Sequence, residues 1–147
     1  MKRFAILFTL ALSLAAALLA ESPAPAPPAP LPSAIAHAKT VFISNNAARS
    51  FFESGHNLIY DEFYADLATA KRYQIVDDPA QADLVLEIEY PGYLYGDLRL
   101  LVIDTKSHFT LWSLATSIDA ANLRSTRDKN LRKATEELAN KFLMLGK

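Results

Sequence analysis

The pattern of apolar and polar positions along the chain predicts five strands and two helices in the order β-α-β-β-β-β-α. The clearest strand is LVLEIEY at 84–90, which places Leu84, Leu86 and Ile88 on one face and mostly acidic side chains on the other. Further strands are predicted at 39–45, 73–76, 98–103 and 109–118, with helices at 57–70 and from residue 125 or 126 to 145. One more helical turn is predicted within 47–52.

This order indicates an α/β (α+β) fold. The first strand, first helix and second strand suit a crossover between parallel strands, while the last three strands suit an antiparallel meander. The final helix, capped by Ser125 or Thr126 and ended by Gly146, would close one face. We therefore expect a two-layer sandwich with a mixed sheet of about five strands and two helices. The run Val41 to Ile43 predicts a first strand covered on both faces.

Residues 1–20 predict export. Lys2 and Arg3 precede an apolar run at 4–19 that is shorter than the ~20 residues needed to span a bilayer, and Ala20 is a small residue suited to cleavage. Leu18 at the minus-three position leaves an uncleaved anchor open as an alternative. Residues 21–36 form a linker rich in proline and alanine, and residues 37–147 form a single domain that is soluble in the periplasm or outside the cell once the signal is removed.

Composition narrows the class of protein. Cysteine is absent, which excludes disulfides, thiolate metal sites and a lipid-modified cysteine. Removal of residues 1–20 takes away two basic residues and no acidic one, so the formal net charge falls from −1 to −3. Since nucleic-acid binding depends on basic surfaces, nucleic acid is not an expected partner.

No catalytic constellation is visible in the sequence. His37, His56 and His108 are isolated, are predicted to lie in loops, and have no metal-ligand spacing. The acidic pairs occupy positions where structural roles suffice, and the four glycines match no phosphate-binding motif. We therefore predict no catalytic, cofactor-binding or metal-binding residues, no cofactor, and a protein that is not an enzyme.

Three tyrosines form the candidate interaction site. Tyr90, Tyr93 and Tyr95 lie in the turn sequence YPGYLYG, and tyrosine is enriched at interfaces because it combines an apolar body with a polar tip. The alternative is that Tyr90 and one other tyrosine pack on the sheet.

Two segments resemble known bacterial domains. DDPAQADLVLEIE at 77–89 and LRLLVIDTKSHFTLWSL at 98–114 are similar to small exported domains related to the amino-terminal domain of TolB and to the CsgG group, and to a set of uncharacterised secreted bacterial proteins. The resemblance implies a non-enzymatic envelope module in which Asp104 holds a hairpin turn and Leu111 and Trp112 pack on the return strand. The chain lacks the lipidation cysteine of the CsgG-like lipoproteins and the propeller of TolB, so neither specific function transfers.

The function that fits these observations is a non-catalytic envelope module for protein interaction or assembly, with other envelope proteins as partners. Membrane contact is expected only if the signal segment stays uncleaved. The alternative is a small ligand-binding protein or hydrolase whose site lies between residues 45–57 and the YPGYLYG turn. A structural scaffold that acts through an exposed sheet edge is a third possibility.

Overall fold

The computed structural model describes residues 29–49, 56–90 and 96–145. The folded domain lies within Leu31–Lys147, which forms one compact unit. The predicted signal segment, Tyr93, Tyr95 and Gly146 lie outside the described residues.

The elements are α1 (Ser33–His37), β1 (Thr40–Asn45), a 3-10 turn (Asn46–Arg49), α2 (His56–Ala70), β2 (Gln74–Ile75), a second 3-10 turn (Pro79–Gln81), β3 (Leu84–Glu89), β4 (Gly96–Asp104), β5 (Thr110–Ile118) and α3 (Arg124–Met144).

The five strands form one mixed sheet in the order β2-β1-β3-β4-β5. β1 is parallel to both β2 and β3, and the crossover between β1 and β2 contains α2. β3, β4 and β5 are antiparallel neighbours, as the meander prediction required. The predicted fold class, strand number and order of the main elements are confirmed.

One face of the sheet carries the core. Ile43 pairs with Leu86, Leu86 with Val102 and Val102 with Trp112, so these four side chains share a row across the sheet. The first three are buried and Trp112 packs against the same cluster. We call this side the closed face. The two long helices cover it, and their buried residues recur at helical spacing: Ile59, Phe63 and Leu67 in α2, and Leu131, Ala134, Leu138 and Phe142 in α3.

A third helix extends the domain toward the amino terminus. α1 lies within residues that the sequence assigned to the linker, yet Ile35 is fully buried in the core and Leu31 packs against it. Leu31 lies two residues before the helix begins, just after the proline-rich stretch. The folded domain therefore includes residues before 37.

The start of α3 differs from the prediction. The helix begins at Arg124 with Leu123 as its N-cap, no side chain caps it, and Ser125 and Thr126 lie inside the first turn. The Leu123 carbonyl accepts a hydrogen bond from the Arg127 amide at 3.0 Å. The first turn of the helix is thus closed by a backbone hydrogen bond without a side-chain cap. The predicted serine or threonine cap is wrong.

Candidate functional site at the open face of the sheet

The second face of the sheet carries an exposed row of apolar side chains. In β1, β3 and β4 the residues that alternate with the core positions are only partly buried, and we call their side the open face. The register places Phe42, Val85 and Ile103 side by side across these three strands. Leu101 lies next along β4 on the same side. Phe42 is partly exposed, so the prediction that β1 is covered on both faces is wrong.

A groove lies at the end of this row. Its volume is about 690 Å³, within the roughly 300–1,000 Å³ range of ligand pockets. Val85 and Ile103 belong to its lining, together with the turn 79–83 on one side and Thr105, Lys106 and His108 of the β4–β5 hairpin on the other. The groove thus combines apolar sheet residues with two walls that come from turns.

Asp83 attaches the first wall to β1. Its carboxylate accepts hydrogen bonds from the backbone amides of Lys39 at 2.8 Å and Thr40 at 3.0 Å. These two bonds hold the pKa of Asp83 below its usual value. The Thr40 hydroxyl donates to the carbonyl of Gln81 at 3.1 Å and accepts from the Asp83 amide at 2.9 Å. Asp83 thus bonds to the start of β1, and Thr40 of β1 bonds back to the turn at 81–83. These reciprocal hydrogen bonds hold the turn against the sheet.

Thr105 joins the two walls. Its hydroxyl donates to the carbonyl oxygen of Ala82 at 2.7 Å and lies 3.0 Å from that of Asp83. Asp78 stabilises the far end of the first wall, because its carboxylate accepts a hydrogen bond from the Ala80 amide at 2.9 Å. The side-chain oxygens of Thr105 and Asp78 are therefore engaged in holding the walls in place.

The hairpin wall has its own support at Asp104. The carboxylate accepts hydrogen bonds from the Ser107 amide at 2.8 Å and the Ser107 hydroxyl at 2.6 Å, which lower the pKa of Asp104. His108 has a φ of 60°, a left-handed conformation that closes the turn, and its amide donates to the Asp104 carbonyl at 2.8 Å. Asp104 thus has the turn-holding position that the family resemblance implied.

The groove presents polar side chains to solvent on its hairpin side, and an aromatic residue follows them in the chain. Lys106 and His108 line it and are exposed, whereas Asp83 is engaged by backbone amides. Phe109 directly follows His108 and is 73% exposed, a large exposed fraction for an aromatic side chain. An apolar side chain next to a carboxylate would match this combination of surfaces.

The tyrosine site of the sequence lies at the opposite end of β3. Tyr90 is partly buried and packs against the core; burial raises its pKa, and the charge of Arg127 lowers it to a smaller extent. The groove begins at Asp83, seven residues earlier, so the two places are about 20 Å apart along the strand. The structure describes Tyr90 alone of the three tyrosines, so the interaction role of the YPGYLYG turn stays a prediction.

The three histidines occupy separate places. His37 ends α1, where its Nδ1 lies 2.7 Å from the Ser33 carbonyl, and His56 begins α2, so neither lies in the predicted loop. His108 lies in the hairpin turn as predicted. Among the residues that the structure describes, no three histidine, cysteine or carboxylate side chains are grouped so that they could hold a metal ion. The alternative ligand or hydrolase site depends on residues 50–55 and 91–95, which lie outside the description.

Comparison with solved structures gives partial matches. A single-residue variant of the PelC dodecamer from Paraburkholderia phytofirmans matches with a TM-score of 0.48 and 14% identity, covering 71% of this chain and 86% of that one. A candidate lipoprotein from Caulobacter crescentus matches with a TM-score of 0.42 and 17% identity over 78% and 91% of the two chains. Uncharacterised lipoprotein B from Nitrosomonas europaea matches with a TM-score of 0.40 and 10% identity over 80% and 88%.

These identities and scores are too low to carry a function from one protein to another. No family model and no curated protein matches the chain. The comparisons do not show the resemblance to TolB or CsgG. Within the described ranges, no helix has the length and hydropathy needed to cross a membrane.

Proposed function

We propose that this protein is a non-catalytic interaction module of the bacterial envelope, and that it binds a partner protein through the groove at the open face. The observation that carries the proposal is the groove itself: its lining joins apolar residues of the sheet to the exposed side chains of Lys106 and His108, and the exposed Phe109 follows them in the chain. The amino-terminal sequence, which is typical of an export signal, supports the location.

The chemistry of the groove favours a particular kind of partner segment. Val85 and Ile103 offer apolar surface that a leucine or phenylalanine side chain would cover, which removes both surfaces from water. Lys106 and His108 lie on the hairpin side, where an aspartate or glutamate next to that apolar residue would meet them. The proposed ligand is therefore a short peptide segment with an apolar residue beside a carboxylate.

The rigidity of the walls supports binding rather than catalysis. Asp83 accepts two hydrogen bonds from backbone amides at the start of β1, and Asp104 accepts two from Ser107 in its own turn, so both carboxylates serve to hold the walls. A groove whose walls are already in place loses little conformational entropy when it binds.

A peptide library displayed on phage tests the proposal. We expect selection on the purified protein to enrich peptides with an apolar residue next to Asp or Glu, and we expect Ile103→Ser to weaken their binding at least about tenfold. The matched control is Leu123→Ser, which removes another apolar side chain, 70% exposed and outside the groove. Thermal unfolding of both variants separates a binding defect from a folding defect.

A charge reversal tests the second half of the ligand. Lys106→Glu leaves the apolar surface intact and should shift the enriched peptides from acidic to basic residues beside the apolar one. Equal enrichment by wild type and Ile103→Ser, or an acidic preference that persists in Lys106→Glu, contradicts the proposed binding site.

A further inference from the structure

The last strand of the sheet has an open edge. β5 is nine residues long and lies at the end of the strand order, where β4 is its one ladder partner among the described strands. Edge strands present backbone amides and carbonyls that can pair with another strand, and proteins usually protect them with charged residues or proline. The sequence of β5, TLWSLATSI, contains no charged residue, no proline and no glycine.

Lys141 of α3 shows which backbone groups point outward. Its ammonium donates a hydrogen bond to the Ala115 carbonyl at 2.8 Å, so this carbonyl points away from β4. Backbone direction alternates along a strand, so Ser113 and Ser117 also direct their amides and carbonyls outward. Their side chains and that of Ala115 are exposed and lie on the side of Leu101 and Arg99.

Lys141 is held beside this edge by a second contact. Its ammonium lies 2.8 Å from Glu137, and hydrogen bonds from Lys141 and Thr116 lower the pKa of Glu137. A small polar notch of about 320 Å³ surrounds these groups at the edge. Lys141 thus covers one outward carbonyl of β5 in the single molecule.

We propose that β5 is a self-association edge at which a second copy of this chain adds its own β5 in antiparallel orientation, centred on Ala115. In this arrangement Ala115 faces Ala115 of the second copy, and Ser113 faces Ser117. A two-fold axis places β5 of one copy opposite β5 of the other, so a charged side chain near the centre of the strand would meet the same charge. β5 contains no charged residue. The outward groups of three residue pairs can form about six backbone hydrogen bonds.

In this arrangement Lys141 competes with the second copy. A carbonyl oxygen can accept two hydrogen bonds, but the lysine ammonium lies beside the outward Ala115 carbonyl, where the second strand would approach, so we expect the lysine to move away before the strands pair. Removal of the lysine should therefore strengthen association, and the concentration at which the dimer forms reports the competition.

Single cysteine substitutions provide the test, because the chain has no cysteine of its own. The full chain is expressed with each substitution, the protein is purified in its exported form, and the single cysteines are then oxidised so that neighbouring ones form disulfides. Ala115→Cys should give a disulfide-linked dimer, since hydrogen-bonded antiparallel pairs lie about 5.5 Å apart at Cα, within disulfide reach. Ala68→Cys, exposed in α2, is the matched control and should stay monomeric. Ser113→Cys and Ser117→Cys should link to each other in a mixture and more weakly when separate.

The second measurement is the dimer dissociation constant by analytical ultracentrifugation. We expect Lys141→Met to lower it by about tenfold, and Ser113→Pro to raise it by at least as much because proline removes an outward amide without affecting the β4 ladder. Ile103→Ser should leave it unchanged, which separates this edge from the groove. Crosslinking of Ala115→Cys no greater than that of Ala68→Cys, or a dissociation constant that Lys141→Met leaves unchanged, overturns the proposal.

Discussion

Leu100 and Leu101 are neighbours in β4, yet they face different environments. Leu100 points to the closed face and is fully buried, whereas Leu101 points to the open face and is partly exposed. The closed face obtains its stability from two helices that cover it, and the open face leaves apolar residues in contact with water. A small domain that keeps such a surface uncovered gives up part of the burial energy it could have, which favours a binding role for that surface.

Paired substitutions test this difference most directly. Leu100→Ala should lower the free energy of unfolding by about 3 kcal/mol, because it removes a side chain from a packed core and leaves a cavity. Leu101→Ala removes the same atoms from a partly exposed position and should cost about 1 kcal/mol. Urea denaturation of both variants measures the two values. Equal losses would mean that the open face is as well covered as the closed one.

A smaller effect concerns the wall of the groove. Asp83→Asn replaces a carboxylate that accepts two backbone hydrogen bonds and should cost about 1 kcal/mol at pH 7. The pKa of Asp83 is lowered in the folded protein, so its contribution is present above the unfolded value of about 3.9 and disappears as the pH falls through the lower folded value.

Thermal unfolding between pH 7 and pH 3 measures the Asp83 effect, with the exposed Asp119→Asn as control. The wild type and Asp83→Asn should approach each other in stability at the acid end. A difference that stays constant down to pH 3 would show that the carboxylate charge does not hold the wall.

The smallest predicted effect lies in the helix layer over the closed face and has the opposite sign. Burial, and to a lesser extent the charge of Glu136, raises the pKa of Asp66. An ionised Asp66 therefore destabilises the fold above that pKa, and wild-type stability increases as the pH falls through it. Asp66→Asn should raise stability at neutral pH by about 0.5 kcal/mol, because solvent screens part of the effect.

Comparison of melting temperatures at pH 7 and pH 4 checks the Asp66 prediction. The gain in the Asp66→Asn variant should shrink at pH 4, where the wild-type carboxyl takes up its proton. A loss of stability at pH 7 would mean that the carboxylate has a favourable contact in the helix layer.

β3 could be predicted from the sequence because strict alternation marks it. Leu84, Leu86 and Ile88 reported both the strand and its buried side, and the polar connector at 104–108 between two apolar runs predicted the hairpin of β4 and β5. α1 could not be predicted in this way, since Ile35 is the only large apolar residue in its five-residue helix and its burial depends on contacts with distant parts of the chain. The predicted cap of α3 was wrong for a related reason. Serine and threonine are common helix caps, but the loop before α3 determines at which residue the helix starts.

The groove was only partly visible in the sequence. Val85 and Ile103 stand out as apolar residues on the polar side of their strands, which is the signal that could have pointed to it. The register of β3 against β4 brings them together, and this register cannot be derived from the sequence of either strand alone. Phe42 was read as covered because three apolar residues in a row are typical of a buried strand, and only the position of the helices shows that one face stays open.

The irregularity at the start of β5 has an evolutionary consequence. Val102 pairs with Trp112 and Ile103 with Thr110, so Leu111 is an extra residue between two regular stretches of the ladder. If the ladder continued regularly from the Ile103–Thr110 pair, Trp112 would lie opposite Leu101 on the open face, so the extra residue is what turns it to the core. Mutations that remove this residue would therefore exchange the two faces of β5, whereas substitutions between Lys106 and Phe109 that keep the Ile103–Thr110 pair leave the core unchanged and can alter binding preference.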